Sequence, residues 1–314
     1  VNAIDGTGII NPKDTAIATI LFIPTKYAAP TAPQEYSFGG TLGYLDPFTG
    51  TKVTRDLYPV TLTVKPSPDL VLNYFMQRDV MGDDPLTTDV VEPSEDAEFT
   101  LLIVNEGAGD ATNVRISSKQ PEIIDNEKGL LIDFEIVSSS LNGAEKNIGI
   151  TNIDFGNIPS GASSYGQWWF RSSLLGHFVE YDTKITHVTS YDNPDLSLVK
   201  SLNIHELISS IEVTRDNRKL RGFMANDVVD TYDYPDRMYL SDGSSAEIST
   251  QNTVEVTDAG SNQKRLTLTP TQAGWNYAVV ADPYNGRSRL TEVKREADNL
   301  ILPVGNFRQT ALTL

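Results

Sequence analysis

Residues 96–116 read Asp-Ala-Glu-Phe-Thr-Leu-Leu-Ile-Val-Asn-Glu-Gly-Ala-Gly-Asp-Ala-Thr-Asn-Val-Arg-Ile. Phe99, Leu101 and Ile103 alternate onto one side and Thr100, Leu102 and Val104 onto the other, the period of a strand and not of a helix. Asn105, Gly107, Gly109 and Asp110 then interrupt the run with residues that tolerate positive φ or bond their own backbone, and Val114 and Ile116 resume the alternation. The stretch predicts a strand, a reversal and a return strand of a β-sandwich.

The same pattern extends in both directions. Toward the N-terminus, strands are expected over 16–24, 36–45 and 57–64, with Asp46-Pro47-Phe48-Thr49-Gly50 as a turn and Pro66-Ser67-Pro68-Asp69 as a short stiff linker. Toward the C-terminus, strands are expected over 130–137, 167–170, 178–189 and 202–213. A further set follows at 246–256, 265–269, 275–281, 288–294 and 299–303. Gly8-Ile9-Ile10-Asn11-Pro12 with the strands after it matches, in order, Gly156-Asn157-Ile158-Pro159-Ser160-Gly161 with the strands after it, an internal repeat at low identity. The expected fold is all-β, a tandem of immunoglobulin-like or fibronectin-like sandwiches. Residues 1–66 form the back part of a truncated module, 67–213 a complete module, and 214–314 a third small module with an acidic linker at its start. The first segment can be completed by a missing half or by a neighbour.

Composition bounds the partners. Across 314 residues, 42 acidic side chains face 25 basic ones, and the net charge of −17 opposes phosphate backbones and anionic lipid. Nucleic acid is therefore not an expected partner, and with no apolar run near 18 residues, neither is membrane insertion. Cysteine is absent, which removes disulfides, thiolate metal sites and a cysteine nucleophile. No Asn-X-Ser/Thr acceptor occurs, and the start Val1-Asn2-Ala3 carries neither an initiator Met nor a signal-peptide pattern, so the chain reads as a piece of something longer.

The Pro68-Asp69-Leu70 start, the Asn105-Glu-Gly-Ala-Gly109 segment and the later Pro159-Ser-Gly161 resemble the cell-adhesion-related (CARDB-like) immunoglobulin-like modules of bacterial proteins. The region around Gly274-Trp275-Asn276-Tyr277 looks more like a fibronectin-type module. The resemblance implies a non-enzymatic spacer or adhesion segment of a large bacterial surface or secreted protein, hence an extracellular or cell-surface location. Its partners would be other domains of the same chain, a cell-surface protein or a glycan. No catalytic residues are carried across.

Three sets of residues could carry chemistry. His205-Glu206-Leu207-Ile208-Ser209 begins like a zinc-protease helix, but Ser209 stands where the second histidine is needed, so a strand-end pair is the better reading. Asp79, Asp83, Asp84, Asp89 and Glu92 in one loop, and Asp227, Asp230, Asp233 and Asp236 in another, supply the oxygens calcium takes at module junctions. A solvated acidic surface explains them equally, and neither fits EF-hand spacing. Calcium is thus the one cofactor suggested, with Asp79, Asp83, Asp84, Asp227, Asp230 and Asp233 as its ligands. Trp168, Trp169 and Trp275 are the candidate sugar-stacking residues, against a core role for at least one of the adjacent pair. They support the alternative function, a carbohydrate-binding accessory module of a secreted polysaccharide-degrading enzyme. No Gly-X-Ser-X-Gly elbow, phosphate-binding glycine loop or isolated carboxylate pair accompanies them.

Overall fold

The computed structural model describes residues 7–87, 89–117, 132–149, 151–177, 194–228, 234–251, 253–260, 262–270, 272–303 and 305–309. Strand accounts for 53% of the chain, with no α-helix among the described residues. In chain order the strands are β1 (Gln34–Leu45), β2 (Lys52–Val64), β3 (Leu70–Met76), β4 (Asp79–Val80), β5 (Ala97–Asn105), β6 (Ala111–Ile116) and β7 (Phe134–Leu141). Next come β8 (Asn147–Ile148), β9 (Ile153–Ile158), β10 (Ser163–Ser172), β11 (Gly176–His177), β12 (Val199–Arg215), β13 (Arg218–Asn226) and β14 (Arg237–Leu240). The last are β15 (Ser245–Gln251), β16 (Val254–Gly260), β17 (Gln263–Leu268), β18 (Trp275–Ala278), β19 (Lys294–Arg295) and β20 (Leu300–Ile301).

One mixed sheet of 10 strands runs in the order β18-β15-β14-β13-β12-β3-β5-β10-β7-β8. Its pairs are antiparallel except β12 with β3 and β15 with β18. The alternation read in 96–116 fixes what lies on each face of β5. Leu101 and Ile103 pack with Leu72, Tyr74 and Trp168 against Phe155 and Ile158 of the separate β6–β9 pair, which gives a sandwich-like second layer. On the opposite face Leu102 packs with Phe75, Leu207, Phe223 and Ala225. Both faces of β5 are thus covered, which explains the unbroken apolar run Leu101-Leu102-Ile103-Val104.

The return strand differs from expectation. β6 pairs with β9 and not with β5, so residues 105–110 turn a corner between layers instead of closing a hairpin. Gly107 and Gly109 do not take positive φ there. They are small because the 66–69 linker crosses them: a Cβ on Gly109 would lie 2.0 Å from the Pro66 carbonyl oxygen, and one on Gly107 2.3 Å from the Asp69 nitrogen. Buried Asn105 ties the corner, its Oδ1 accepting from the Asp69 and Gly107 amides and its Nδ2 donating to the Gly109 and Ile158 carbonyls.

The 17-residue β12 organises the remainder. Its first half pairs with β3 and its second with β13 across a two-residue turn, Asp216-Asn217, in which both residues have positive φ. A bulge between Leu207 and Ser209 marks the change of neighbour. β13 and β14 then fold over the second face of the first sheet half, where Phe223 stacks 5.0 Å from Phe75 and Tyr239 meets Phe75 edge-on at 5.2 Å. The tip of the β14–β15 hairpin rests there too, Ser163 Oγ donating to the Ser241 carbonyl at 2.7 Å. The expected 213/214 boundary falls inside β12, and the expected acidic linker lies between β13 and β14, its residues 229–233 outside the described ones.

Several expected strands are placed differently. Residues 16–24 form no strand; 246–256 divides into β15 and β16; and 288–293 is irregular. The expected 178–189 strand lies outside the described residues. β1 and β2 form a separate two-stranded ribbon, as do β16 with β17 and β19 with β20.

Candidate functional site

Two sets of buried polar residues, around Glu98 and around His205, lie between the two halves of the folded-over sheet. Glu98, Thr100 and Leu102 alternate on β5, and register places Gln167 of β10 opposite Thr100. Ser210 and Arg221 reach the same point from β12 and β13. Glu98 is buried, and its Oε1 accepts from Thr100 Oγ1 at 2.8 Å, Gln167 Nε2 at 2.7 Å and Ser210 Oγ at 2.7 Å. Arg221 Nη2 stands 3.5 Å from Oε2. Removing a carboxylate from water costs several kcal/mol, and these donors offset that cost only while both layers are docked. Beside them, burial raises the Tyr165 phenol, Arg221 lowering it and Glu98 raising it in turn.

Toward the other end of the joint lies a second cluster. His205 is buried on β12, its ring stacked 4.8 Å from Phe75, with Nδ1 2.7 Å from Asp227 Oδ1. Tyr239 of β14 donates its hydroxyl to Asp227 Oδ2 at 2.7 Å. His205 Nε2 lies 3.2 Å from Asn73 Oδ1, which also accepts from Asn203 Nδ2 at 2.9 Å. Burial pushes the Asp227 carboxyl up, but hydrogen bonds from His205 and Tyr239 together with the charges of His205 and Arg237 outweigh it, leaving it below its ordinary value. Tyr239 moves up, chiefly from burial and then from its bond to that carboxylate. An Asp–His pair is half of a nucleophile-activating triad, yet here the outer imidazole nitrogen meets an amide and the carboxylate is shared with a tyrosine. The arrangement joins strands.

The predicted site residues are scattered. Asp79 on β4 pairs with His177 of β11 at 2.8 Å. Asp83 Oδ1 accepts the Glu92 amide and Asp84 Oδ1 the Leu86 amide. Glu92 returns the closure, accepting from Thr87 Oγ1 and the Asp84 amide, bonds that hold its carboxyl below the usual range. Asp236 caps the other loop by accepting the Asp227 and Val228 amides. Asp230 and Asp233 lie outside the described residues. Among the described residues no group of three or more His, Asp or Glu is arranged to hold a metal ion.

The tryptophans do not assemble into a platform. Trp168 is 1% exposed in the core and donates Nε1–H to the Thr151 carbonyl. Trp169 points to the other face and is half-buried, with the Lys146 ammonium 3.7 Å from its ring centre. Trp275 packs against the cluster of Ile211, Met238 and Ile248.

Sequence reading missed Glu98 and Arg221 and did not connect His205 with Asp227. The available signal was Leu102 and Val104 standing on the same face as Glu98 and Thr100: two apolar residues there imply that this face is covered too. Comparison with family models, characterised proteins and solved structures returned no match, so what the chain does is read from its own geometry.

Proposed function

We propose that the chain is a non-enzymatic structural and adhesion segment of a larger bacterial surface or secreted protein. It is a tandem of immunoglobulin-like sandwiches of the cell-adhesion-related kind that holds neighbouring domains at a set spacing and orientation. The observation that carries this reading is β12. Modules joined by a flexible linker move relative to one another by default, because interfaces within a chain are modest and polar. A single strand of 17 residues that pairs in both halves leaves no such linker. The aromatic stack of Phe75, Phe223 and Tyr239 and the Glu98 and His205 clusters fix the angle at which the halves meet. A joint built this way transmits force and orientation, which is what a spacer must do.

Hydrogen exchange along a urea titration tests the joint. Protection of Leu101–Ile103 and of Phe223–Ala225 is expected to disappear in one transition. Separate melting of residues 218–251 at lower urea would remove the basis of the spacer reading. Titrating the chain with oligosaccharides while following tryptophan fluorescence tests the carbohydrate-binding alternative. Saturable quenching that Trp169→Ala abolishes would replace the spacer reading with that one.

A further inference from the structure

The β1–β2 ribbon is amphipathic to a degree its surroundings do not use. Register puts Tyr36 beside Leu62, Phe38 beside Val60, Gly40 beside Leu57, Leu42 beside Arg55 and Tyr44 beside Val53 on one face. Thr41, Thr54, Thr61 and Thr63 fall on the other. Such a pattern belongs to a sheet with one wet and one packed side. Among the described residues the apolar side meets the chain that precedes it: the Phe22 and Phe38 rings lie 4.1 Å apart between centres, and the Tyr36 hydroxyl donates to the Ala28 carbonyl. Tyr36, Leu42, Tyr44, Leu57, Val60 and Leu62 remain between 37% and 58% exposed.

We propose that this apolar face is a self-association surface, covered by the same face of a second copy of the chain related by a two-fold axis. With side chains of about 150–200 Å² each, the six residues leave on the order of 500 Å² of apolar surface per copy, so two copies face to face cover about 1,000 Å², the lower end of specific interfaces. Charge selects the same place. Residues 7–64 carry four basic and four acidic side chains, so the net −17 lies wholly on the rest of the chain. Two copies repel elsewhere and meet without repulsion here. An isolated two-stranded ribbon is at best marginal in water, and a second pair laid on its apolar side converts it into a four-stranded sandwich with a core. This holds whether or not the chain serves as a spacer.

Sedimentation velocity of the full chain from about 1 to 100 µM is the test, with circular dichroism to check that each variant retains its strands. The wild type is expected at twice the 34.5 kDa chain mass at the upper concentrations. Val60→Lys is expected to weaken association at least tenfold. Val60→Thr, which keeps the strand propensity and removes apolar surface, should weaken it several-fold without unfolding the ribbon. Thr61→Lys on the polar face should leave association unchanged. A chain that stays monomeric at 100 µM overturns the proposal. So does a dimer indifferent to both Val60 variants, or one that Thr61→Lys dissociates as readily as Val60→Lys.

Discussion

Gly109 and Glu98 differ in kind, yet each is fixed by what approaches it from another part of the chain. Gly109 has backbone packed where its Cβ would be, and backbone cannot move aside as a side-chain tip can. Gly109→Ala is expected to cost roughly 3 kcal/mol in urea unfolding, at the upper end for overpacking. Glu98→Ala leaves the Thr100, Gln167 and Ser210 donors and the Arg221 guanidinium without their acceptor. Loss of one member of such a buried set costs about 3–5 kcal/mol, and Glu98→Gln, which keeps an acceptor oxygen, should recover part of it. At Asp227 the expected signature is in pH. Its folded-state pKa lies below the ordinary 3.8, so the stabilisation it contributes is complete above that value and is lost as pH falls through the lower, folded-state one. Asp227→Asn should therefore flatten the acid limb of the stability profile below about pH 4. An unchanged slope would mean that the His205 and Tyr239 bonds do not hold the carboxylate ionised.

At the scale of elements, the β12–β13 hairpin depends on Asp216 and Asn217 adopting positive φ in succession. Asn and Asp tolerate that region and β-branched residues do not, so Asn217→Val is expected to lower stability by about 1–2 kcal/mol. Asn217→Gly should hold or slightly raise the melting temperature. Strand identity was largely legible in the sequence: 36–45, 57–64, 97–104, 167–170 and 202–213 all fall in strands. Their period-2 alternation and bounding Gly, Pro and Asn residues are local properties. Pairing was not legible. The Asn105–Asp110 reversal looks like a hairpin and is a corner between layers, because the same turn residues serve either and only the position of β9 decides between them.

For the whole molecule, the folded-over sheet determines what the polar residues do. Of the acidic side chains that suggest calcium by composition, Asp83, Asp84 and Asp236 close loops, Asp79 pairs with His177 and Asp227 belongs to the joint, where it meets His205, 22 residues away, because β12 and β13 are hairpin partners. The net charge of −17 also sets an expectation for the chain as a whole. Raising sodium chloride from about 10 to 150 mM should raise the melting temperature by screening self-repulsion. No response would mean that the acidic surface is already relieved by its local ion pairs.

The sequence alone determined that this protein is all-β, acidic and free of cysteine, and where most strands run, since alternation, charge and composition are written residue by residue. Only the tertiary structure decided that both faces of β5 are covered and that one strand serves two halves of a sheet. It also decided that Glu98, Arg221, His205 and Asp227 are spent on holding those halves together. The physical reason is that a strand's pattern records which of its faces is dry, and the identity of the neighbour that keeps it dry is set by contacts far apart in the chain.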